Sequence, residues 1–248
     1  MAKPLGYILD EFNSPIDGAP CVAILTLRSN NNKTGDMAQV WIIRSDINPV
    51  EAVNAGDDYS ICGNCPHRKG ENSYVDGVLT FTDKQNRSCY VNTGQAPNSV
   101  YKAYKAGRYA RDPMCLESRK AVKGRKIRFG AYGDPAIIRP VIVETLIKAA
   151  AGHTGYTHQW RQSFADAFKG LFMASVDGAI DYIDASIAGW KTFSVVPKGY
   201  KPNNIKLCPA TVNNSKAQCF TCSLCDGAKT SIYVEAHGSG AKYVTSMT

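Results

Sequence analysis

The sequence predicts an α/β protein, a single-domain βα barrel with an irregular first half, with an open α/β sheet as the alternative. From Ile127 onward, short β-branched or aromatic runs alternate with apolar helical runs, the pattern of parallel βα units. Roughly nine candidate strands can be counted, and about eight close a barrel. The chain has 248 residues, a length that one such barrel commonly fills. It lacks the G-x-G-x-x-G and G-x-x-x-x-G-K-[ST] turns that anchor open nucleotide-binding sheets. The whole chain, 1–248, is therefore expected to form one domain, with 205–237 as a cysteine-rich metal-binding subregion.

In the first third, VAILTL (22–27), QVWIIR (39–44) and DGVLTF (76–81) read as strands bounded by turn residues. NSVYKAYKAGRYA (98–110) reads as a helix capped by Asn98 or Ser99 and weakened at Gly107. Then IRFGA (127–131) is a strand leading through YGDP into the helix AIIRPVIVETLIKAAAG (136–152). TGYTHQW (154–160) is a short strand and SFADAFKG (163–170) a short helix. LFMASVD (171–177) is a strand entering the helix AIDYIDASIAG (179–189), and TFSVV, IKLCP and SIYVEAHG are further strands.

Nearly half the residues (44%) are hydrophobic, enough for a core, and no apolar run approaches the ~20 residues of a membrane span. The N-terminal MAKPLGYILDEF has no signal-peptide core, because Asp10 and Glu11 interrupt it. A soluble cytoplasmic protein is expected, and in that compartment clustered thiols favour metal over disulfides. Cys208, Cys219, Cys222 and Cys225 have the spacing C-x10-C-x2-C-x2-C. Four thiolates on such turns complete a tetrahedral zinc site, or hold an iron–sulfur cluster, with His237 as an alternative ligand. Cys62, Cys65, His67 and Cys89 form a possible second site, in which only the C-x2-C step is tight.

The formal charge is +8, and ten cations between Lys102 and Arg128 against Asp112 and Glu117 match that whole excess. Lys102, Lys105, Arg108, Arg111, Lys120, Lys123, Arg125 and Lys126, interleaved with tyrosines, suit nucleic acid; a solvated basic helix fits the composition equally. Asp134, His158 and Asp177 fall where strands feed into loops, the catalytic end of βα units. Asp134 before Pro135 and Asp177 before Gly178 also read as helix caps. Tyr132, Tyr156, Trp160 and Phe172, with Arg128, are candidates to hold a planar substrate, or core residues.

The combination SNNNKTGDMAQVWIIR, ICGNCPHR, CYVNTGQAPNSVYKAYKAGRY, RFGAYGDPA, TGYTHQW, LFMASVD and the terminal cysteine cluster resembles a group of bacteriophage-encoded proteins. That resemblance implies an infected host cell as the setting. A more distant one is to the guanine transglycosylase superfamily, including phage DNA enzymes that insert 7-deazaguanine bases. It implies a zinc-bearing βα barrel, DNA and a 7-deazaguanine base as substrates, and an aspartate that attacks the anomeric carbon and expels guanine. On these positions Asp134 and Asp177 are nucleophile and base, in either order, and Cys219, Cys222 and Cys225 with His237 or Cys208 hold the zinc. The chain departs from the tRNA enzymes in its C-x2-C-x2-C steps and in lacking D-S-G-G-F-Q.

Overall fold

The chain opens with a three-stranded antiparallel meander, β1 (Gly6–Asn13), β2 (Pro20–Thr26) and β3 (Ala38–Arg44). Leu9, Val22, Ile24, Val40 and Ile42 are fully buried within it. β1 is absent from the sequence expectation because Asp10 and Glu11 break its apolar run. The fold buries Asp10 against Arg139, Nε to Oδ2 at 2.8 Å. The computed structural model describes residues 4–28, 34–203, 205–212, 215–238 and 240–244. The start of the SNNNKTGD motif and residues 213–214 of the cysteine-rich subregion lie outside them.

β7 (Lys126–Tyr132) adds in parallel to β3, and β8 (Gly152–Thr154) in parallel to β7. With the two-residue β6 (Ala110–Arg111) beside β1, they make a six-stranded sheet of order β6-β1-β2-β3-β7-β8. A second sheet is wholly parallel: β9 (Tyr156–Thr157), β10 (Met173–Val176), β11 (Thr192–Val196), β12 (Lys206–Leu207) and β13 (Ile232–Glu235), in the order β12-β13-β11-β10-β9. A separate hairpin pairs β4 (Gly70–Val75) with β5 (Val78–Asp83). The helices are α1 (Pro49–Ala55), α2 (Tyr59–Cys62), α3 (Ala96–Lys105), α4 (Ser118–Ala121), α5 (Pro140–Ala149), α6 (Ala179–Ile187) and α7 (Cys219–Cys222).

The protein is thus mixed α/β, and its sheets are open rather than closed into a barrel. Among the described residues the edges β6 and β12 do not pair with one another. Two reasons are visible. The first three strands are a meander rather than βα units, and each edge strand is two residues long, too short to continue a ladder. The helix expected over 136–152 is also divided. A 3-10 turn, Pro135–Ile137, comes first; Ile138 is extended, Arg139 is non-helical, and α5 begins at Pro140. Proline disfavours helix in the residue before it and has no N–H to donate.

The two sheets meet in one short segment. β8 and β9 are consecutive in the chain, interrupted only at Gly155, whose N–H donates to Cys225 O at 3.2 Å and whose carbonyl accepts from Met173 N at 3.0 Å. A Cβ on Gly155 would lie 2.3 Å from the Phe172 ring, so the crossing from one sheet to the other requires glycine. Phe172 stacks on Phe168 at 5.2 Å and meets Phe129 at 5.4 Å. These rings belong to one hydrophobic cluster that runs from Tyr7 in β1 to Trp190 before β11 and takes in Cys21 and Cys115. No helix among the described residues is long and apolar enough to cross a membrane.

Candidate metal centre

Three chain segments converge at the ends of β9 and β10. Tyr156 and Thr157 pair with Met173 and Ala174, so the strands emerge side by side, carrying His158 from one and Asp177 from the other. The third segment is the loop after α2, which holds Cys65 and His67. That loop is fixed by Arg68, which is buried and donates to Asp58 Oδ1 (2.9 Å from Nε), Gly63 O (3.2 Å), Gly56 O (2.8 Å) and Asn72 Oδ1 (2.7 Å). Gln159 Nε2 ties the loop to the β9 end by donating to Cys62 O at 2.9 Å.

Four side chains point at a common region. His67 Nε2 lies 2.8 Å from Asp177 Oδ1, and His158 Nε2 lies 3.2 Å from Asp177 Oδ2. Cys65 Sγ is 3.8 Å from the same His158 Nε2. The ligand atoms of His67, His158 and Asp177 all lie within 4.8 Å of one another. A proton relay of the thiol–imidazole–carboxylate kind sets thiol and carboxylate on opposite ring nitrogens. Here both approach Nε2, which is convergence on a point, as ligands surround an ion.

The orientation of His67 agrees. Its Nδ1 meets Ser88 Oγ at 2.7 Å, and with the hydroxyl accepting from Nδ1–H, Nε2 is left as the lone-pair nitrogen. Nε2 is buried and, despite its closeness to Asp177, is not aligned for a hydrogen bond with any partner. Two imidazoles and one carboxylate form a donor set for a divalent ion such as zinc or iron(II). The residues present therefore fit a metal.

The electrostatics follow from burial and neighbours. Burial would raise the Asp177 carboxyl, but His158 and His67 outweigh it and hold the group well below the usual carboxylate range. Burial would likewise favour a neutral His158, yet Cys65 and Asp177 outweigh it and hold the ring well above its ordinary value. The negative environment that retains a proton on His158 also suits a cation in the proton's place.

Asp134 reaches this centre indirectly. Its Oδ1 caps the 3-10 turn by accepting from Ala136 N at 3.0 Å, and its Oδ2 accepts from the His158 backbone N at 2.8 Å. Burial raises its pKa against those hydrogen bonds and one from Thr157. Both carboxylate oxygens are thus spent on structure, and Asp134 positions His158 rather than presenting a free carboxylate. The three residues expected to be catalytic are brought together, and His67 and Cys65 of the possible second metal site join them.

Both expected cysteine groups stay together, while the aromatic candidates separate. Cys62 and Cys89 lie near Cys65, and Tyr132 is buried beside Cys62 and Cys89 with its hydroxyl unpartnered. Trp160 donates from Nε1 to Ser175 O at 3.0 Å, with Arg161 stacked on its ring at 3.8 Å. Phe172 is core. Tyr156 packs on Phe193 at 4.2 Å and lies beside Cys225. No single aromatic platform results.

Cys208, Cys219, Cys222 and Cys225 are gathered near one another and near Arg128, without reaching the mutual spacing of the His–Asp group. His237 is exposed, with Nδ1 on Glu235 O at 3.1 Å and its ring against Tyr90. No disulfide joins any of the nine cysteines.

Of the cation-rich segment, Lys102, Lys105, Arg108, Arg111, Lys120 and Lys123 are exposed. Arg111 pairs with Glu11, Lys120 with Glu117 at 2.7 Å, and Arg125 with Asp36 at 2.8 Å; Lys126 lies over the Phe220 ring. None of them lines the clefts at His158. Two clefts flank that residue, of about 480 Å³ with Pro66, Trp160, Asp177 and Asp181, and about 290 Å³ with Tyr59, Asn64, Gln159 and Gln162; Arg161 borders both. The amide side chains and Arg161 carry no motif, and they were invisible in the sequence. No protein-family model matches the chain, and no curated protein or solved structure matches it.

Proposed function

We propose that the protein is a metal-dependent enzyme that acts on bases of nucleic acid, with its reaction centre at His67, His158 and Asp177. The observation that carries the reading is the convergence of both imidazole Nε2 atoms on the Asp177 carboxylate at the border of a cleft. A divalent ion held there supplies Lewis acidity to a substrate oxygen or to water. The chain supplies the rest. Ser88 orients His67, Asp134 fixes the backbone of His158, and Arg68 holds the loop that brings Cys65 and His67 into place. Asn64, Gln159 and Gln162 offer amide donors and acceptors to a polar heterocycle, and Arg161 offers a cation. The exposed cations of 102–123 support nucleic acid as the carrier of that heterocycle.

A second reading is guanine exchange in DNA for a 7-deazaguanine, with Asp177 as the nucleophile. It is favoured by the same carboxylate, which two imidazoles hold ionised. One experiment separates the two: nucleoside mass spectrometry of duplex DNA incubated with the protein and a panel of 7-deazaguanine bases, with and without chelator. The metal-centred reading expects an altered nucleoside that disappears with chelator and in His158→Ala. The exchange reading expects a deazaguanine nucleoside that survives chelation, with a covalent DNA adduct on Asp177. Unaltered DNA under all conditions sinks both.

A further inference from the structure

The described residues include two buried arginines, and their surroundings differ. Arg68 is neutralised by Asp58. Arg128, 9% exposed, has as charge neighbours Tyr90, Tyr156 and Cys219, with no carboxylate among them. One guanidinium nitrogen donates to the Tyr90 hydroxyl, and the group sits 5.9 Å from the centre of that ring. A phenol is uncharged at neutral pH, and so is a thiol of ordinary acidity. A buried cation surrounded by neutral groups is costly, and proteins normally place an anion beside it.

The neighbouring group that can become an anion is the cysteine quartet. Cys219 and Cys222 lie on α7, Ser223 turns the chain with φ 49°, and Cys225 follows, its carbonyl bound by Gly155 N. Cys208 follows β12, its N–H donating to Tyr233 O at 2.8 Å. The loop is seated on the sheet: a Cβ on Gly227 would lie 2.6 Å from Phe172 N. Tyr156 lies beside both Arg128 and Cys225. Four thiols, of which Cys225 is buried and the other three half-buried, therefore lie beside one buried cation.

We propose that Cys208, Cys219, Cys222 and Cys225 bind one divalent ion of the zinc type as a tetrathiolate, and that Arg128 is its built-in counter-charge. Binding transfers four thiol protons to solvent. Four thiolates around a divalent ion leave two net negative charges, and Arg128 offsets one of them. The ion draws the four sulfurs together and ties α7 and the end of β12 to the segment where the two sheets meet. The site is independent of the reaction centre proposed above.

Cobalt(II) titration of full-length His158→Ala protein tests it, because that variant lacks a ligand of the other centre. The expected result is one equivalent of cobalt with thiolate-to-cobalt charge-transfer absorption, abolished by adding Cys222→Ser. Against a competing chelator, Arg128→Gln is expected to weaken affinity roughly 10–100-fold, while Arg128→Lys, which keeps the charge, stays close to the parent. Absence of thiolate absorption, or its persistence in Cys222→Ser, overturns the site whether or not the arginine variants fold. Equal affinity of Arg128→Gln and the parent, or equal losses in Gln and Lys, overturns the counter-charge role.

Discussion

At the scale of single residues, His158 is held twice: its backbone by Asp134 and its ring by Asp177 and Cys65. Replacing Asp134 by alanine removes a cap, a loss of about 1–2 kcal/mol. It also leaves the His158 N–H without its acceptor. Urea denaturation is expected to show that loss together with a fall in metal occupancy at the His–Asp centre; unchanged occupancy would mean that Asp134 does not position His158. The sequence placed Asp134, His158 and Asp177 at strand ends, because strand-to-loop junctions are legible from apolar runs and turn residues. It paired His67 with the cysteines and missed its contact with Asp177. That contact joins positions far apart in sequence, and no local periodicity encodes it. Cys65 and His158, separated by 93 residues, are a second such pair.

At the scale of elements, the loop after α2 depends on Arg68. Its guanidinium and Asp58 are buried together, so Arg68→Ala leaves a carboxylate without its partner and is expected to cost about 3–5 kcal/mol. The check is a chemical denaturation curve, with Lys84→Ala as an exposed residue for comparison. Gly155→Ala forces a methyl group against the Phe172 ring and is expected to cost about 1–3 kcal/mol by overpacking. A neutral melting temperature in that variant would show that the segment between β8 and β9 yields easily. The longer strands after Ile127 are legible because β7, β10 and β11 are apolar-rich runs closed by Gly133, Asp177 and Pro197. The strands β1 and β4 were not, since acidic and polar residues interrupt them. The break before α5 leaves no mark in the apolar pattern, which continues through Pro140 while the helical backbone does not.

At the scale of the whole molecule, the large hydrophobic cluster reaches both sheets, and His153 lies where they meet. Burial lowers its pKa, against the pull of Leu171 O, which lies 2.7 Å from Nε2. Unfolded, the ring titrates near about 6.5. The folded value is lower, so the unfolded chain binds the proton more readily and stability falls as pH drops below that point. Denaturation midpoints at pH 7 and pH 5 are expected to differ, and to differ less in His153→Gln. An equal difference in the two proteins would assign the acid sensitivity to other groups. The open architecture was harder to foresee than its strands, because closure depends on whether two distant edges meet, and edge strands of two residues leave almost no trace in a sequence.

The segment that passes from one sheet to the other also acts as a ruler. Tyr156 reaches the cysteine quartet from within β9, and His158 reaches the His–Asp centre from the bend just after it, two positions on. The pairing of β9 with β10 fixes the register of both, so one added or deleted residue between them would carry one of the two away from its site. The separation of the two centres is therefore written into a chain length that tolerates substitution but not insertion, and a library of single-residue insertions should find Tyr156–His158 closed to them while the exposed turn at Asp76–Gly77 accepts them.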